Sequence, residues 1–238
     1  MKTVKISALV LAMAGAFATS ANAQTSNTNP WEGFYAEAAV GYGQFNPTIN
    51  NASIIKSTPA GGRTLPVTTQ QDNLSTGTNK IGLGYTYGIN DRYTLGIAAS
   101  YSLGASSPAN GSFYATRPDG TPSPSVWFKY QIKDVWSVTV NPGYVIDKDK
   151  LAYAKVGMTG NTMGINGGTA NYQTYNFTGY VLGLGYKQMV TQSVYFLGEV
   201  NYAGISSKTA IIQTSGGPIT GNVGGSGVDV LVGVGYKF

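Results

Sequence analysis

The chain has 238 residues, of which only 11% are charged, with no cysteine, no histidine, 33 glycines and 17 tyrosines. The absence of cysteine excludes a disulfide scaffold and a lipoprotein, and the charge content is less than half the ~25% of a soluble domain. The formal net charge of +5 is spread without a Lys/Arg cluster, so nucleic acid is excluded as a partner.

Residues 1–23 read as a secretory leader. Lys2 and Lys5 precede an apolar run from Ile6 to Phe17, and Ala21-Asn22-Ala23 is a small-x-small site, so cleavage is expected between Ala23 and Gln24. The run is too short for a spanning helix. Taking 23 residues from 238 leaves 215, the length of one domain over 24–238, and removing Lys2 and Lys5 lowers the formal charge from +5 to +3.

Beyond the leader the dominant pattern has a period of two, which sends successive side chains to opposite faces of a strand. A first strand is predicted over 32–45, with Phe34, Ala36, Ala38, Val40 and Tyr42 on one face and Tyr35, Glu37, Ala39, Gly41 and Gly43 on the other. A second, over 79–89, alternates Ile81, Leu83, Tyr85, Tyr87 and Ile89 with Lys80, Gly82, Gly84, Thr86 and Gly88. The polar turn Asn90-Asp91-Arg92 leads to a third over 93–105, with Tyr93, Leu95, Ile97, Ala99, Tyr101 and Leu103 on its apolar face.

The stretch 126–146 reads as one long strand that rises above the bilayer. A single parity is expected through Phe128, Tyr130 and Ile132 to Trp136, Val138 and Val140, and Pro142, which lacks an N–H donor, predicts a bulge at that position. Trp127, Phe128 and Tyr130 on its raised part suggest a ribbon edge open to a partner. After the turn Asp147-Lys148-Asp149, further strands are predicted over 150–159, 175–187 and 193–206. The eighth, over 228–238, sets Val228, Val230, Val232, Val234, Tyr236 and Phe238 against Asp229, Leu231, Gly233, Gly235 and Lys237.

The fold class expected from this series is an all-β, eight-stranded antiparallel up-and-down transmembrane barrel. Short links follow the second, fourth and sixth strands, and long ones (46–78, 106–125, 160–174 and 207–226) follow the odd strands, matching short periplasmic turns and long outer loops. The outer loops are rich in Ser, Thr, Asn and Gly; the first carries only Lys56, Arg63 and Asp72, and the stretch 161–175 carries no charge. Such segments are expected to be mobile and to bury no core.

Several segments carry a family resemblance: Asn141-Pro142-Gly143-Tyr144, Leu151-Ala152-Tyr153-Ala154-Lys155-Val156-Gly157, Leu182-Gly183-Leu184-Gly185-Tyr186-Lys187, Leu197-Gly198-Glu199-Val200-Asn201-Tyr202 and Gly233-Val234-Gly235-Tyr236-Lys237-Phe238. With these the chain resembles the small eight-stranded outer-membrane barrels of the opacity-type surface antigens and the OmpX/OmpA-like proteins. The resemblance implies residence in the Gram-negative outer membrane, contact with its lipid and lipopolysaccharide, and assembly by the barrel-insertion machinery. It also implies roles from adhesion to envelope integrity. The final strand, through Val234, Tyr236 and Phe238, is the expected assembly signal. The family has no shared catalytic motif to carry over.

Chemistry is limited by the absence of histidine. Barrel enzymes resembling lipid A palmitoyltransferase, lipid A deacylase, outer-membrane phospholipase or omptin protease all use one, so no catalytic residue is assigned. No cofactor or metal is expected either. The inward charges Glu37, Lys80, Lys155, Glu199 and Asp229 form the candidate site. They fit either a polar path or a structural plug, since a barrel of about eight strands is just wide enough to be filled by side chains. Glu37 and Asp229 are expected to approach each other where the first and last strands meet, and Lys155 to reach Glu37 or Glu199. The Gly-x-Gly pairs at 82/84, 183/185 and 233/235 read as lumen-facing residues that leave room for larger ones. The favoured function is a monomeric, non-enzymatic surface protein in envelope structure or adhesion, with host or matrix surfaces as possible partners; the alternative is a narrow channel for small solutes.

Overall fold

The structure, a computed structural model, describes residues 29–58, 61–167, 170–214 and 216–238. The leader 1–23 and its cleavage site lie outside these residues. The alternating sequence forms ten strands: β1 (Gly33–Thr58), β2 (Gly61–Gln71), β3 (Leu74–Gly88), β4 (Tyr93–Ser102), β5 (Ala109–Ala115), β6 (Val126–Asp147), β7 (Lys150–Gly167), β8 (Ala170–Met189), β9 (Val194–Ile212) and β10 (Ile219–Lys237). Eight of them, in the order β1-β3-β4-β6-β7-β8-β9-β10, close into an antiparallel ring when β10 pairs with β1. At the closure Tyr35 stands opposite Lys237 and Tyr42 opposite Val230. Closure matters because a sheet edge in hydrocarbon would leave backbone donors and acceptors unpaired, at several kcal/mol each.

The outer face of the ring has the chemistry that lipid requires. Val40, Ile81, Ile97, Val138, Val156, Leu184, Val200 and Val232 are all exposed on it, an apolar surface far larger than water tolerates. Tyr87, Tyr93, Tyr144, Tyr186, Tyr236 and Phe238 mark its lower rim. A second belt, Tyr42, Tyr101, Trp136, Tyr180 and Tyr202, marks the upper one, with Tyr180 and Tyr202 6.1 Å apart between ring centroids. Tyr93 and Tyr101 on β4 are eight residues apart, or roughly 26 Å along a strand, which after tilt matches the hydrocarbon band of such barrels. The upper belt was not anticipated from sequence, because its members sit in mid-strand away from any turn signal.

Above that belt the barrel continues, which corrects the expected mobile loops. β1 runs on to Thr58, β7 to Gly167 and β9 to Ile212, and β10 begins at Ile219. β2 pairs with β1, β5 with β2, and β6 with β5, so this upper tier is walled by β2 and β5 where the lower ring has β3 and β4. β2 and β3 are two parts of one descending strand, since Ser53 faces Pro66 and Phe45 faces Leu74 in the same register across β1. The tier buries a core of its own: Leu74, Phe128, Tyr130, Ile132, Met163, Ile165, Phe177 and Ile205, capped by Ile54, Val67, Ala115 and Ile219. Composition concealed this core because its few apolar residues are diluted among the Ser, Thr, Asn and Gly of the same segments.

The stretch 126–146 is one strand, but not of one parity. Phe128, Tyr130 and Ile132 are buried inside, whereas Trp136, Val138 and Val140 face out. The switch is a bulge between Lys133 and Trp136, where Asp134 has φ of 54°, the left-handed conformation that Asp tolerates better than most residues. The expected bulge at Pro142 is absent: Pro142 stays in register opposite Leu95, and pairing with β7 runs without a shift from Val140/Val156 to Gly143/Tyr153. A single missing donor is absorbed there by the neighbouring pairs. Nor is the Trp127–Tyr130 segment a free edge, because β5 covers one side and β7 pairs with the other from Lys129 onward.

Candidate functional site

The inward positions of the lower ring carry the charges, and strand register decides which of them meet. Lys155 on β7 reaches across to Glu199 on β9, with Nζ 2.7 Å from both carboxylate oxygens. Lys80 on β3 stands 3.6 Å from Asp229 on β10. Glu37 takes neither of these cations. Its partner is Lys187 on β8, at 2.5 Å. Glu37 and Asp229 do not approach one another, because Glu37 faces Gly235 and Asp229 faces Gly43, six residues further along β1. Lys155 goes to Glu199, which corrects the option of Glu37.

Neutral groups fill the remaining valences. Tyr153 donates to Glu199 Oε1 at 2.5 Å, and Tyr195 donates to Glu37 Oε1 at 2.8 Å. Asn201 Nδ2 donates to Asp229 Oδ1 at 2.8 Å and to Glu199 Oε2 at 3.2 Å, joining two of the ion pairs. Lys187 is caged: its Nζ lies 4.1, 5.0 and 5.1 Å from the ring centroids of Tyr35, Tyr153 and Tyr195. Such cation–π contacts add to the ion pair when water is excluded. Buried charges need this degree of pairing to offset desolvation.

The glycines opposite these tyrosines are what make room for the rings. Tyr153 lies across from Gly185, and a Cβ there would stand 2.2 Å from the ring; Gly235 stands in the same relation to Tyr195. Below the layer, Trp31 closes the periplasmic end, 5.6 Å from the Tyr195 ring at an interplanar angle of 69°. The entry segment is tied down by Asn29 Nδ2 to Asn90 O at 2.7 Å and by Lys237 Nζ to Pro30 O at 2.6 Å. A cavity of about 30 Å³ remains within the charged layer, enough for one or two waters.

Sequence reasoning missed Lys187, the three caging tyrosines, Asn201 and Trp31 as members of this site. Alternation carried through the predicted strands at 150–159, 175–187 and 193–206 puts Tyr153, Lys187 and Asn201 on the inner face, as it does Tyr35 on the first strand. Only Lys187 among them is charged, and its place beside a turn hid how deep it reaches. Trp31 precedes the first strand and has no periodic signal. At the other end of the chain, Val234, Tyr236 and Phe238 lie on the outer face at the lower rim; the Tyr236 and Phe238 rings are 5.2 Å apart, and Phe238 N donates to Phe34 O at 2.9 Å. Among the described residues no group of acidic side chains is placed to hold a metal ion.

The family model for the outer membrane protein beta-barrel domain matches residues 9–238. No curated protein sequence matches the chain. Among solved structures, OprG from Pseudomonas aeruginosa is 17% identical, with 90% of this chain and 99% of OprG covered at a TM-score of 0.48. Neisserial surface protein A is 18% identical over 86% of this chain and 97% of its own, with a TM-score of 0.48. Ail, the attachment invasion locus protein of Yersinia pestis, is 14% identical over 87% and 99%, with a TM-score of 0.42.

Proposed function

Because the chain belongs to the outer membrane protein beta-barrel domain family, and so resides in the Gram-negative outer membrane, we propose that it is a non-enzymatic surface protein with a lumen sealed by paired side chains. The observation that carries this reading is the linked layer Lys155–Glu199–Asn201–Asp229–Lys80, beside the caged Lys187–Glu37 pair. A hydrated ion crossing this layer would have to part ion pairs already held in a low-dielectric interior, and the 30 Å³ of free space does not admit its water shell. The barrel then acts as a pedestal. It works as a monomer, its outward band meets lipid and lipopolysaccharide, and its last strand, ending in Val234, Tyr236 and Phe238, is the segment read by the barrel-assembly machinery.

The working surface in this reading is the upper tier. Its tips, 61–64 and 117–122, are exposed and offer the Thr64 and Thr121 hydroxyls, the Arg63, Arg117 and Asp119 side chains and backbone groups to a host or matrix surface. Replacing both tips with Gly-Ser turns should lower cell or matrix binding while heat-modifiable gel mobility stays that of a folded barrel; unchanged binding would remove these tips from the adhesive surface. The sealed lumen is tested in planar bilayers. The wild type should show no steady conductance. A steady conductance that changes in Lys155→Ala or Glu199→Ala would replace the sealed barrel with a narrow solute channel. An enzymatic role would alter lipid A or phospholipid on overexpression, and an unchanged lipid profile is expected.

A further inference from the structure

Directly above the Lys80–Asp229 pair lies a larger cavity of about 150 Å³, distinct from the small one in the charged layer. Its upper walls mix apolar side chains, among them Leu74, Ile132 and Ile205, with polar ones such as Thr76, Thr159 and Asn161, and its floor is Lys80 and Asp229. An apolar protein cavity of about this volume holds a molecule of the size of benzene. The floor adds a polar feature. The Lys80 ammonium meets Asp229 only at 3.6 Å, longer than a hydrogen bond, while Asp229 is itself engaged by Asn201 at 2.8 Å. Lys80 is the most loosely held of the three lumenal lysines, and it borders the cavity.

The wall beside this cavity is interrupted. β3 and β4 pair up to Lys80/Ser102, and the same register resumes between β2 and β5 at Gln71/Gly111. Between these points the ladder lapses. Among the described residues it is bridged by Leu103 N to Asn79 O at 2.8 Å, Ser107 N to Thr76 Oγ1 at 3.3 Å and Asp72 N to Asn110 O at 3.0 Å. Gly104 and Ala105, at this break, also line the cavity. The break begins just beyond Tyr101 of the upper aromatic belt, and therefore at the outer membrane interface, where Leu103 is half exposed. At this break Ala105 and Ser106 turn to β6 instead, Ala105 bridging Lys133 and Ser106 N donating to Ile132 O at 2.8 Å. Among the described residues the β3 edge from Leu74 to Thr78 therefore borders the cavity without a ladder partner on that side, although continuing the ladder would cost nothing in register.

We propose that this cavity is a binding site for a small, mainly apolar molecule bearing one hydroxyl, of the size of phenol, admitted at the interrupted wall. The ring would lie against Leu74, Ile132 and Ile205, and the hydroxyl oxygen would accept a hydrogen bond from Lys80. The site rests on the top of the charged layer and shares Lys80 with it, but the titration reads binding in the cavity and not conductance through the layer.

The test uses the full mature barrel in lipid nanodiscs, titrated with phenol and followed by amide chemical shifts. The expected result is a set of saturable shifts at Thr76, Ser106, Ile132 and Ile205. Lipid-facing amides such as Val138 and Val232 should drift linearly, as simple partitioning requires. Ala203 lines the cavity, so Ala203→Phe should abolish the saturable set. Ala203→Leu, a smaller filling, should shift the half-saturation to higher phenol and serves if the Phe variant does not fold. Lys80→Met should bring the half-saturation for phenol up to that for benzene. Linear shifts at all positions in the wild type, or a saturable set that both Ala203 variants leave unchanged, would overturn the assignment.

Discussion

Lys187 Nζ lies 2.5 Å from Glu37 Oε1, joining β8 to β1 across a lumen in which two strands separate them in the ring. Both side chains are largely buried, at 6% and 16% exposure, and three tyrosine rings surround the ammonium. Removing the cation alone leaves a buried carboxylate with Tyr195 as its remaining donor. Lys187→Met should therefore destabilise the barrel by about 3–5 kcal/mol, read from urea unfolding in lipid vesicles. Lys187→Met with Glu37→Gln should recover part of that loss, because no charge is then stranded. Equal loss in the single and double variants would mean that Lys187 matters by volume alone.

The Tyr195 ring occupies the space that a side chain at Gly235 would need. Gly235→Ala should cost about 1–3 kcal/mol, the usual range for overpacking. In the Tyr195→Ala background the same substitution should cost far less, and the double-mutant cycle measures that coupling. Additive losses would show that the glycine is required for some reason other than the ring.

Trp31 is buried at the periplasmic mouth, at 3% exposure. Trp31→Ala should lower stability by about 3–5 kcal/mol and leave planar-bilayer recordings silent, since the charged layer lies above it. Conductance in this variant would make Trp31 the seal.

Asp134 holds a positive φ at the point where the inner and outer faces of β6 exchange, and its carboxylate accepts from Tyr101 at 2.8 Å. Asp134→Gly should be tolerated, with the hydrogen bond lost and the conformation relieved. Asp134→Val, β-branched at positive φ, should lower the temperature at which gel mobility changes. A Val variant as stable as Gly would show that the bulge does not need that conformation.

In the tip 117–122, hydrogen bonds from the Thr121 side chain and backbone N to Asp119 hold its carboxyl below the usual carboxylate range. A depressed folded pKa stabilises the turn above the ordinary carboxyl value, and this contribution is lost as pH falls through the depressed one. A carboxyl-carbon titration should show that low midpoint, and Thr121→Ala should raise it. A midpoint unmoved by Thr121→Ala would assign the depression to another cause.

Much of the wall was legible in the sequence. Val40, Val138 and Val232 announced an outer face by alternation alone, because a period of two is a local property that needs no knowledge of neighbouring strands. The polar inner face was equally visible in Glu37, Lys155, Glu199 and Asp229. Pairing was not. Whether Lys155 meets Glu37 or Glu199 depends on strand tilt and on how many strands lie between them, and alternation contains neither quantity. The upper core was hidden for a related reason. Phe128 and Ile132 carry the parity of Trp136 and Val138, and only the bulge at Asp134 turns them inward.

The amino-acid sequence by itself thus determined that this chain is a membrane barrel, which face of each strand meets lipid, and which charges point inside. The tertiary structure decided that Glu37 belongs to Lys187, that the expected loops form a second tier with its own core, and that the wall lapses beside a cavity above Lys80. The reason is physical. Facing is set residue by residue along one strand, whereas contact across a lumen is set by register, curvature and bulges accumulated around the whole ring.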